Sequence, residues 1–328
     1  MQRVQTVVRR APKRIVFAEG EEPAVIRAAY SFQELGLGRA VLVGREELVR
    51  ANMVHVGVPE TADLAIVNAR LSEHSAAYSD YLYRRLQRFG FLHRDALRLV
   101  NQDRNVFGAC MVAAGHADAM VTGVTRNYAT ALDDVLKAID PARGERVMGM
   151  SIVLSKGRTL FISDTAVCEF PNAEELAQIT LQSAAMARQV GATPRVALLS
   201  HSNFGNPKME RSEKIREAVS ILDRREDIRF EYEGEMNVDV ALNPNMRELY
   251  PFSRLTEAAN VLVMPALHSA SIATSLLTAA AGATVIGPVL TGLAFPIQIA
   301  PLGGAVSDIV SFATLAAFQA ATQTEAKA

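Results

Sequence analysis

Cysteine is scarce in this sequence, and the motifs of several common enzyme classes are missing. The 328 residues include only two cysteines, Cys110 and Cys168, which lie far apart and outside any Cys-x-x-Cys arrangement. This excludes a disulfide framework and a cysteine-based zinc site. The six histidines form no His-Glu-x-x-His motif, so we predict no metal site. A Walker A sequence, a Gly-x-Gly-x-x-Gly after the first strand and a Gly-x-Ser-x-Gly elbow are also absent.

The net charge is close to zero, which argues against two classes of partner. Lysine and arginine number 34 and aspartate and glutamate 35, so the formal charge is −1. A chain that binds nucleic acid or an anionic membrane normally carries a basic excess. With 49% hydrophobic and 21% charged residues, the composition is that of a globular protein. We therefore predict a cytoplasmic protein with no nucleic-acid or membrane partner.

One long segment has no charged side chain, because none occurs between Glu257 and Asp308. A membrane-spanning helix needs about 20 consecutive apolar residues. Pro265, Pro288 and Pro296 interrupt this segment, and so do several hydroxyl side chains. We predict instead the strands of a buried sheet covered on both faces, for which continuous apolar runs are typical.

Short apolar runs alternate with amphipathic segments along the whole chain. A strand–helix–strand order in repetition predicts βαβ units and a mostly parallel sheet. A helix is predicted from Ala173 to Val190, with Asn172 as its N-cap and Glu175 in position to complete a capping box. The predicted strands are Arg14–Ala18, Ala40–Val43, Ala119–Val121, Met148–Leu154, Thr159–Ile162, Val196–Leu199, Val261–Met264, Val285–Ile286 and Pro296–Ala300.

The domain organisation is predicted from turn-rich segments. The most polar stretch in the middle of the chain is Asp140–Arg146, and a return point is indicated near Gly287–Gly292. We predict two α/β domains with a cleft between them. The first comprises residues 1–143 and 290–328, and the second, residues 144–289, is inserted into it.

Four loops after predicted strands carry polar groups, and ligands of open α/β sheets bind beyond the carboxyl ends of strands. Residues 200–208 suit an anion at a helix start, but taken alone an ordinary strand-to-helix turn explains them better. Residues 301–308 fit a phosphate site or a simple helix cap about equally. The arginine-bearing loop in 121–130 favours a functional role. For Asp164 the residues leave a structural and a functional role open.

In these loops the sequence resembles the phosphotransacetylase family. The motifs that carry the resemblance are Ile15–Gly20, Asp164–Val167, Arg195–Ser200, Glu233–Glu235, Ala259–Leu262 and Gly287–Leu293. The match spans about Pro12 to Phe318. It is closer still to the phosphotransacetylase-like carboxyl-terminal domain of large bacterial NADP-dependent malic enzymes, through residues 121–128, 200–205 and 234–236. The resemblance implies a fold similar to isocitrate and isopropylmalate dehydrogenases, with homodimerisation through the inserted domain.

The departures from the family motifs concern its phosphate-binding cations. The Ser-Arg-Gly segment of active members stands here as Pro301-Leu302-Gly303, and two further arginines align with Thr130 and Ala279. The family's acid is kept as Asp308. Acetyl transfer between phosphate and a thiol needs a cationic clamp on the phosphoryl oxygens. We therefore expect no catalytic residue and no useful acetyl transfer.

The resemblance implies a regulatory role in which acetyl-CoA, or a related CoA ester, binds as an effector. NADP and a divalent metal are expected only in a dehydrogenase part that these residues do not include. The expected partners are the malic-enzyme catalytic domains and further copies in a homodimer or higher homo-oligomer, and we expect an excised domain with Met1 added. The residues expected to bind acetyl-CoA are Arg126, Tyr128, Thr130, Ser202, Asn203, Gly303, Gly304 and Asp308.

Three alternatives stay open at this point. A residual phosphate acetyl- or butyryltransferase would be the enzymatic one. A purely structural oligomerisation domain would bind no ligand. A divergent isocitrate-type dehydrogenase would have a similar architecture, but the sequence lacks an arginine-rich substrate motif.

Overall fold

The computed structural model describes residues 2–208 and 210–327. Within them the chain forms two compact units, Met1–Arg143 with Leu293–Ala328, and Gly144–Gly292. The first unit is thus assembled from both ends of the chain. The chain re-enters it at Leu293 and not at the expected residue 290. The reason is that the last strand of the second unit continues to Thr291, so these residues belong to the second sheet.

Eleven strands form two sheets in the described part of the chain. The strands are β1 (Lys13–Phe17), β2 (Gly38–Val43), β3 (Ala65–Val67), β4 (Ala119–Thr122), β5 (Met148–Ser155), β6 (Arg158–Ser163), β7 (Arg195–Leu199), β8 (Glu231–Met236), β9 (Val261–Val263), β10 (Thr284–Thr291) and β11 (Ile297–Ile299).

Thirteen α-helices accompany the strands over the same described residues, with one 3-10 turn at Gln87–Phe89. The helices are α1 (Gln2–Arg10), α2 (Pro23–Glu34), α3 (Glu46–His55), α4 (Ser75–Leu86), α5 (His93–Gln102), α6 (Arg104–Ala113), α7 (Tyr128–Ala138), α8 (Ala173–Gln189), α9 (Glu210–Asp223), α10 (Val238–Leu242), α11 (Pro244–Arg247), α12 (Leu267–Ala281) and α13 (Val306–Lys327).

The sheet of the first unit is entirely parallel, in the order β11–β4–β1–β2–β3. Its central strand β1 pairs with β2 on one side and with β4 on the other. Ile15, Val16 and Phe17 of β1 are fully buried, as expected for a parallel sheet with helices on both faces. The ring of Phe32 on α2 packs against Phe17 with its centroid 5.9 Å away. From the other end of the chain, β11 pairs with β4 and α13 packs against β1, so the two ends of the chain share one core.

The sheet of the second unit is mixed, in the order β10–β5–β6–β9–β7–β8. β10, β5 and β6 pair antiparallel, whereas β6, β9, β7 and β8 are parallel. A tight turn joins β5 to β6, with φ of 48° at Lys156 and 74° at Gly157. Buried Val153, Ile162 and Leu262 belong to the core cluster on this sheet.

The predicted fold class is confirmed, and each predicted strand overlaps an observed one. The capping box of α8 is also confirmed, since Asn172 Oδ1 accepts from Glu175 N and Glu175 Oε2 accepts from Asn172 N, both at 2.8 Å. Two strands were not predicted. β3 has only three residues, and β8 carries three glutamates in six positions. β8 lacks the apolar run on which the other strand predictions depended, whereas β3 lies in a four-residue apolar run, residues 64–67, that the prediction missed.

The uncharged segment differs from its prediction in its central part. β9, β10 and β11 lie in it as expected, but Leu267–Ala281 forms α12 and leaves much of its surface exposed. Ile272 and Leu276 are 65% and 62% exposed. A continuous apolar run does not by itself distinguish a strand from a helix, which explains the difference. Among the described residues, no helix combines the length and the hydropathy that a bilayer crossing requires.

We predict that Gly123→Ala destabilises the first unit by about 3 kcal/mol, as the sum of backbone strain and overpacking. Gly123 follows β4 with φ of +104°, and an added Cβ would lie 2.5 Å from the carbonyl oxygen of Ala300. Gly57→Ala is the matched control, because Gly57 has φ of +72° but open space around it. Urea unfolding should show a loss of about 1 kcal/mol for the control. Equal losses in both variants would contradict the steric argument.

Candidate functional site

The carboxyl ends of β1, β4 and β11 lie next to one another in the first unit, because these strands are adjacent and parallel. From β1 the chain continues to β2 and β3 on one side and then crosses to β4 on the other side, so the strand order reverses between the carboxyl ends of β1 and β4. Such points form the ligand crevices of open α/β sheets. Three loops meet there, residues 18–22, 123–127 and 300–305. Two of them contain residues expected to bind acetyl-CoA.

Glu19 ties the first two loops together. It is only 3% exposed, and its Oε2 accepts from Val124 N at 2.7 Å. Its Oε1 accepts from Thr125 N at 3.1 Å and from Thr125 Oγ1 at 2.6 Å. Gly303 N donates to Val124 O at 2.8 Å, which attaches the third loop. A buried carboxylate with three donors therefore holds the 123–127 loop in place.

Arg126 is held by acidic side chains of its own unit. Its Nη1 donates to Asp103 Oδ2 at 2.7 Å and also to Asp134 Oδ2. Asp134 is buried and accepts in addition from Lys137 Nζ at 2.6 Å. Asp103 is fixed as the N-cap of α6, where its Oδ1 accepts from Asn105 N at 2.9 Å. The one arginine of this loop is therefore largely neutralised within the protein.

Tyr128 and Thr130 lie in the first turn of α7, directly after that loop. The N-cap Asn127 accepts from Thr130 N at 2.9 Å, so this backbone donor is already used. The side chain of Thr130 is exposed at the helix start, and Tyr128 is partly buried. Of this pair, Thr130 is the one whose side chain faces solvent.

The loop after β11 presents backbone rather than cationic side chains. Pro301, Leu302 and Gly303 are exposed, and Gly304 is buried. Asp308 lies in the first turn of α13, where its Oδ2 accepts from Ala305 N at 3.0 Å. This is a capping role, although the carboxylate stays exposed.

Ser202 and Asn203, the two remaining predicted residues, belong to the second unit. Ser202 is fully buried and donates to Glu235 Oε1 at 2.7 Å. Glu235 is also fully buried and accepts from Gly205 N at 2.9 Å and from Arg216 Nη1 at 2.9 and 3.0 Å. Asn203 Oδ1 accepts from Asn237 N at 2.8 Å. These polar atoms organise the loop after β7.

A pocket of about 780 Å³ lies beside this loop. Ser200 and Ser212 line it, and a hydrogen bond of 2.9 Å joins their Oγ atoms. Lys214 also lines it, with its Nζ donating to Pro265 O at 2.8 Å. His268 lies at the start of α12, and its ring is 5.7 Å from that of Phe170. Sequence reasoning missed Lys214, Phe170 and His268 as pocket residues, because nothing in their local patterns indicates a shared cavity.

Asp164 has a structural role in the second unit. Its Oδ1 accepts from Gly149 N at 2.8 Å and from Ala166 N at 2.9 Å. Its Oδ2 accepts from Cys168 N at 2.8 Å. Burial raises the pKa of Asp164, and the backbone donors act against that shift. The carboxyl group thus folds the 164–168 loop around itself.

The predicted acetyl-CoA residues consequently fall into two groups. Six lie on the first unit around α7 and the start of α13, and Ser202 and Asn203 lie on the second unit. Ala279, at the position of a family arginine, is exposed on α12. Within residues 2–208 and 210–327, no cluster of histidine, cysteine and acidic side chains is arranged to hold a metal ion.

Comparison with known proteins identifies the family. The family model for phosphate acetyl/butaryl transferase matches residues 1–317. The chain belongs to this family. Among solved structures, a phosphotransacetylase from Streptococcus pyogenes is similar with a TM-score of 0.90 and 27% identity, covering 97% of each chain.

Individual relatives of this phosphate acetyl/butaryl transferase family member fall into two types. An NADP-dependent malic enzyme of Rhizobium meliloti is 54% identical over 98% of this chain, and one of Escherichia coli is 36% identical. These regions are 42% and 43% of the two malic enzymes, so the chain spans about two fifths of their length. A phosphate acetyltransferase of Acetivibrio thermocellus is 30% identical over 94% of both chains.

We predict that Glu235→Gln destabilises the second unit by about 2–3 kcal/mol. The change removes the charge that Arg216 and two further donors contact, and breaking such a buried pair is costly. The side chain of Arg216 is 28% exposed, so solvent reduces the loss. The control is Glu217→Gln, at an exposed position of α9, the helix that also carries Arg216. It should change the free energy of unfolding by less than about 0.5 kcal/mol. Equal urea midpoints for both variants would refute a stabilising role of this network.

Proposed function

We propose that this chain is the acetyl-CoA-sensing, catalytically inactive phosphotransacetylase-like part of an NADP-dependent malic enzyme. The remainder of such an enzyme would carry out the oxidative decarboxylation of malate to pyruvate. NADP and the divalent metal would be bound by that remainder. The 54% identity to a malic enzyme across 98% of this chain supports this assignment.

The observation that carries the proposal is the absence of a charged side chain at four positions that matter in the family. Pro301, Leu302, Thr130 and Ala279 occupy the positions at which the family resemblance places catalytic or cationic side chains. Arg126, the nearby guanidinium, already contacts two carboxylates. Removing an electrostatic transition-state contact costs about 3–4 kcal/mol. The loss of several such contacts leaves the fold with too little stabilisation for acetyl transfer.

Binding of a CoA ester needs fewer charged contacts than acetyl transfer does. Near the ends of β4 and β11, Thr130, Asp308 and Gly303 are exposed to solvent. The N–H groups of Gly303 and Gly304 are used within the loop and donate to Val124 O and Pro301 O. In the second unit, a pocket of about 780 Å³ is within the usual size of small-molecule sites. Its lining combines apolar and polar side chains, as such sites require. By its size and mixed lining, this pocket of the second unit suits a ligand that carries both apolar and polar groups.

Regulation would follow from linkage. An effector inhibits only if it binds more tightly to the less active arrangement of the enzyme. Couplings between sites are typically about 1–3 kcal/mol. Acetyl-CoA would then lower the activity of the dehydrogenase part without any reaction in this domain.

The test is calorimetric titration with acetyl-CoA, free CoA and acetyl phosphate, together with an assay for acetyl exchange between CoA and phosphate. We expect acetyl-CoA to bind without turnover. Thr130→Glu should weaken binding at least tenfold, because it adds a negative charge at the expected position of the phosphates. Gln87→Glu adds the same charge at an exposed position elsewhere in the first unit and should bind normally.

Two outcomes would contradict the proposal in different ways. Measurable exchange would establish a residual phosphate acetyltransferase, which the retained Asp308 and the relative from Acetivibrio thermocellus would then explain. No binding of any of the three compounds would leave an assembly role only.

We further propose that a second copy of the chain covers α12. This 15-residue helix has no charged residue, and an exposed apolar helix face of this kind is typical of association sites. Two identical uncharged faces can pack around a two-fold axis without charge repulsion.

The double variant Ile272→Glu/Leu276→Glu should therefore convert the dimer to monomers, because four carboxylates would be buried in the interface. Sedimentation equilibrium measures the change. Leu71→Glu is the control, since Leu71 is 82% exposed in the first unit, and it should remain dimeric. A dimer that survives the double variant would place the interface elsewhere.

A further inference from the structure

A second polar pocket lies in the first unit, on the β2 and β3 side of the sheet. Its volume is about 360 Å³, near the lower end of the ~300–1,000 Å³ of small-molecule sites. Gly44 after β2 and Asn68 after β3 form part of its lining. None of the residues expected to bind acetyl-CoA lines this pocket. It shares the carboxyl edge of the sheet with the crevice at β1 and β4, and Glu21 of the 18–22 loop is part of its lining.

The pocket has a positive charge. Arg45, Arg70 and Arg104 line it together with one carboxylate, Glu21, which gives 3 − 1 = +2. Glu21 accepts from Arg45 Nε and Nη2, each at 3.0 Å. The hydrogen bond from Arg45 is the main cause that lowers the pKa of Glu21, so its carboxylate is ionised at neutral pH. The charge of Glu21 therefore balances that of Arg45, and the positive charges of Arg70 and Arg104 are in excess.

Arg70 is exposed, and in the described part of the chain no carboxylate forms an ion pair with it. Arg104 Nη1 lies 3.3 Å from Glu21 Oε2, but it is buried and makes no hydrogen bond among the described residues. The guanidinium groups of Arg70 and Arg104 therefore have N–H donors that can bind a ligand.

Asn101 supplies the complementary feature. It lines the same pocket, and its buried Oδ1 has no hydrogen-bond partner within the described residues. Buried polar atoms are normally paired, and an exception requires an explanation. A ligand with acceptor oxygens for Arg104 and a donor for Asn101 would satisfy both atoms.

We propose that this pocket binds a small phosphate monoester whose organic part carries a hydroxyl or amino donor. The phosphate, with a charge of about −1.5 to −2 at neutral pH, matches the excess charge of the pocket. Its oxygens accept from Arg70 and Arg104, since guanidinium forks suit phosphate geometry. The hydroxyl or amino group donates to Asn101 Oδ1. The volume restricts the organic part to about the size of a single sugar.

The experiment is calorimetric titration of the chain with ribose 5-phosphate, inorganic phosphate and ribose as probes. Ribose 5-phosphate should bind more tightly than inorganic phosphate, and ribose should not bind. Arg70→Gln should weaken ribose 5-phosphate at least tenfold. Arg50→Gln is the matched control, because Arg50 is paired with Glu46 on α3 and lies outside the pocket, and it should bind as the wild type does.

Asn101→Ala tests the contact to the organic part of the ligand independently of the contacts to its phosphate. It should weaken ribose 5-phosphate and leave inorganic phosphate unchanged. The proposal fails if ribose 5-phosphate does not bind at millimolar concentration, if Arg70→Gln binds it normally, or if inorganic phosphate binds and the monoester does not. None of these probes contains CoA and none of these variants changes an expected acetyl-CoA residue, so the result is independent of the acetyl-CoA titration.

Discussion

Parallel pairing of β1 with β4, and of β4 with β11, is the constraint on which the candidate site depends. Parallel strands bring their carboxyl ends to one edge, and β11 reaches that edge only because the chain returns to the first unit at Leu293. The buried carboxylate of Glu19 then holds the loop after β4. Without this pairing, the loops at residues 123–127 and 300–305 would have no reason to meet.

Under the proposed function, the same framework would explain how the fold persists without acetyl transfer. The contacts that shape the loops are backbone and carboxylate hydrogen bonds, such as those of Glu19 and Asp164, and they need no catalytic arginine. Residues at Thr130, Leu302 and Ala279 are exposed, so replacing a cation there costs the fold little. Transition-state stabilisation, in contrast, depends directly on such charges. Selection for binding alone would retain the hydrogen bonds that shape the loops and would allow the catalytic cations to be lost.

The distribution of positive charge within the first unit reinforces this interpretation. Arg126, beside the crevice, is neutralised by Asp103 and Asp134. The excess positive charge lies instead at Arg70 and Arg104, which line the pocket beside β2 and β3. An anion would therefore be attracted to a different part of the sheet edge from the one that the family motifs indicate. Net charge alone, at −1 for the whole chain, conceals this local separation.

The sequence by itself determined the fold class, the core strands and the α8 capping box, because apolar runs and capping patterns act locally. Through the family resemblance, it also indicated uncharged residues at Leu302, Thr130 and Ala279, where the family has arginines. Only the tertiary structure decided which charges are available. The carboxylates on Arg126 come from the N-cap of α6 and from α7, and the partners of Ser202 come from β8 and α9. It likewise decided that α12 is an exposed helix. Such contacts join residues distant in sequence, so no local pattern encodes them.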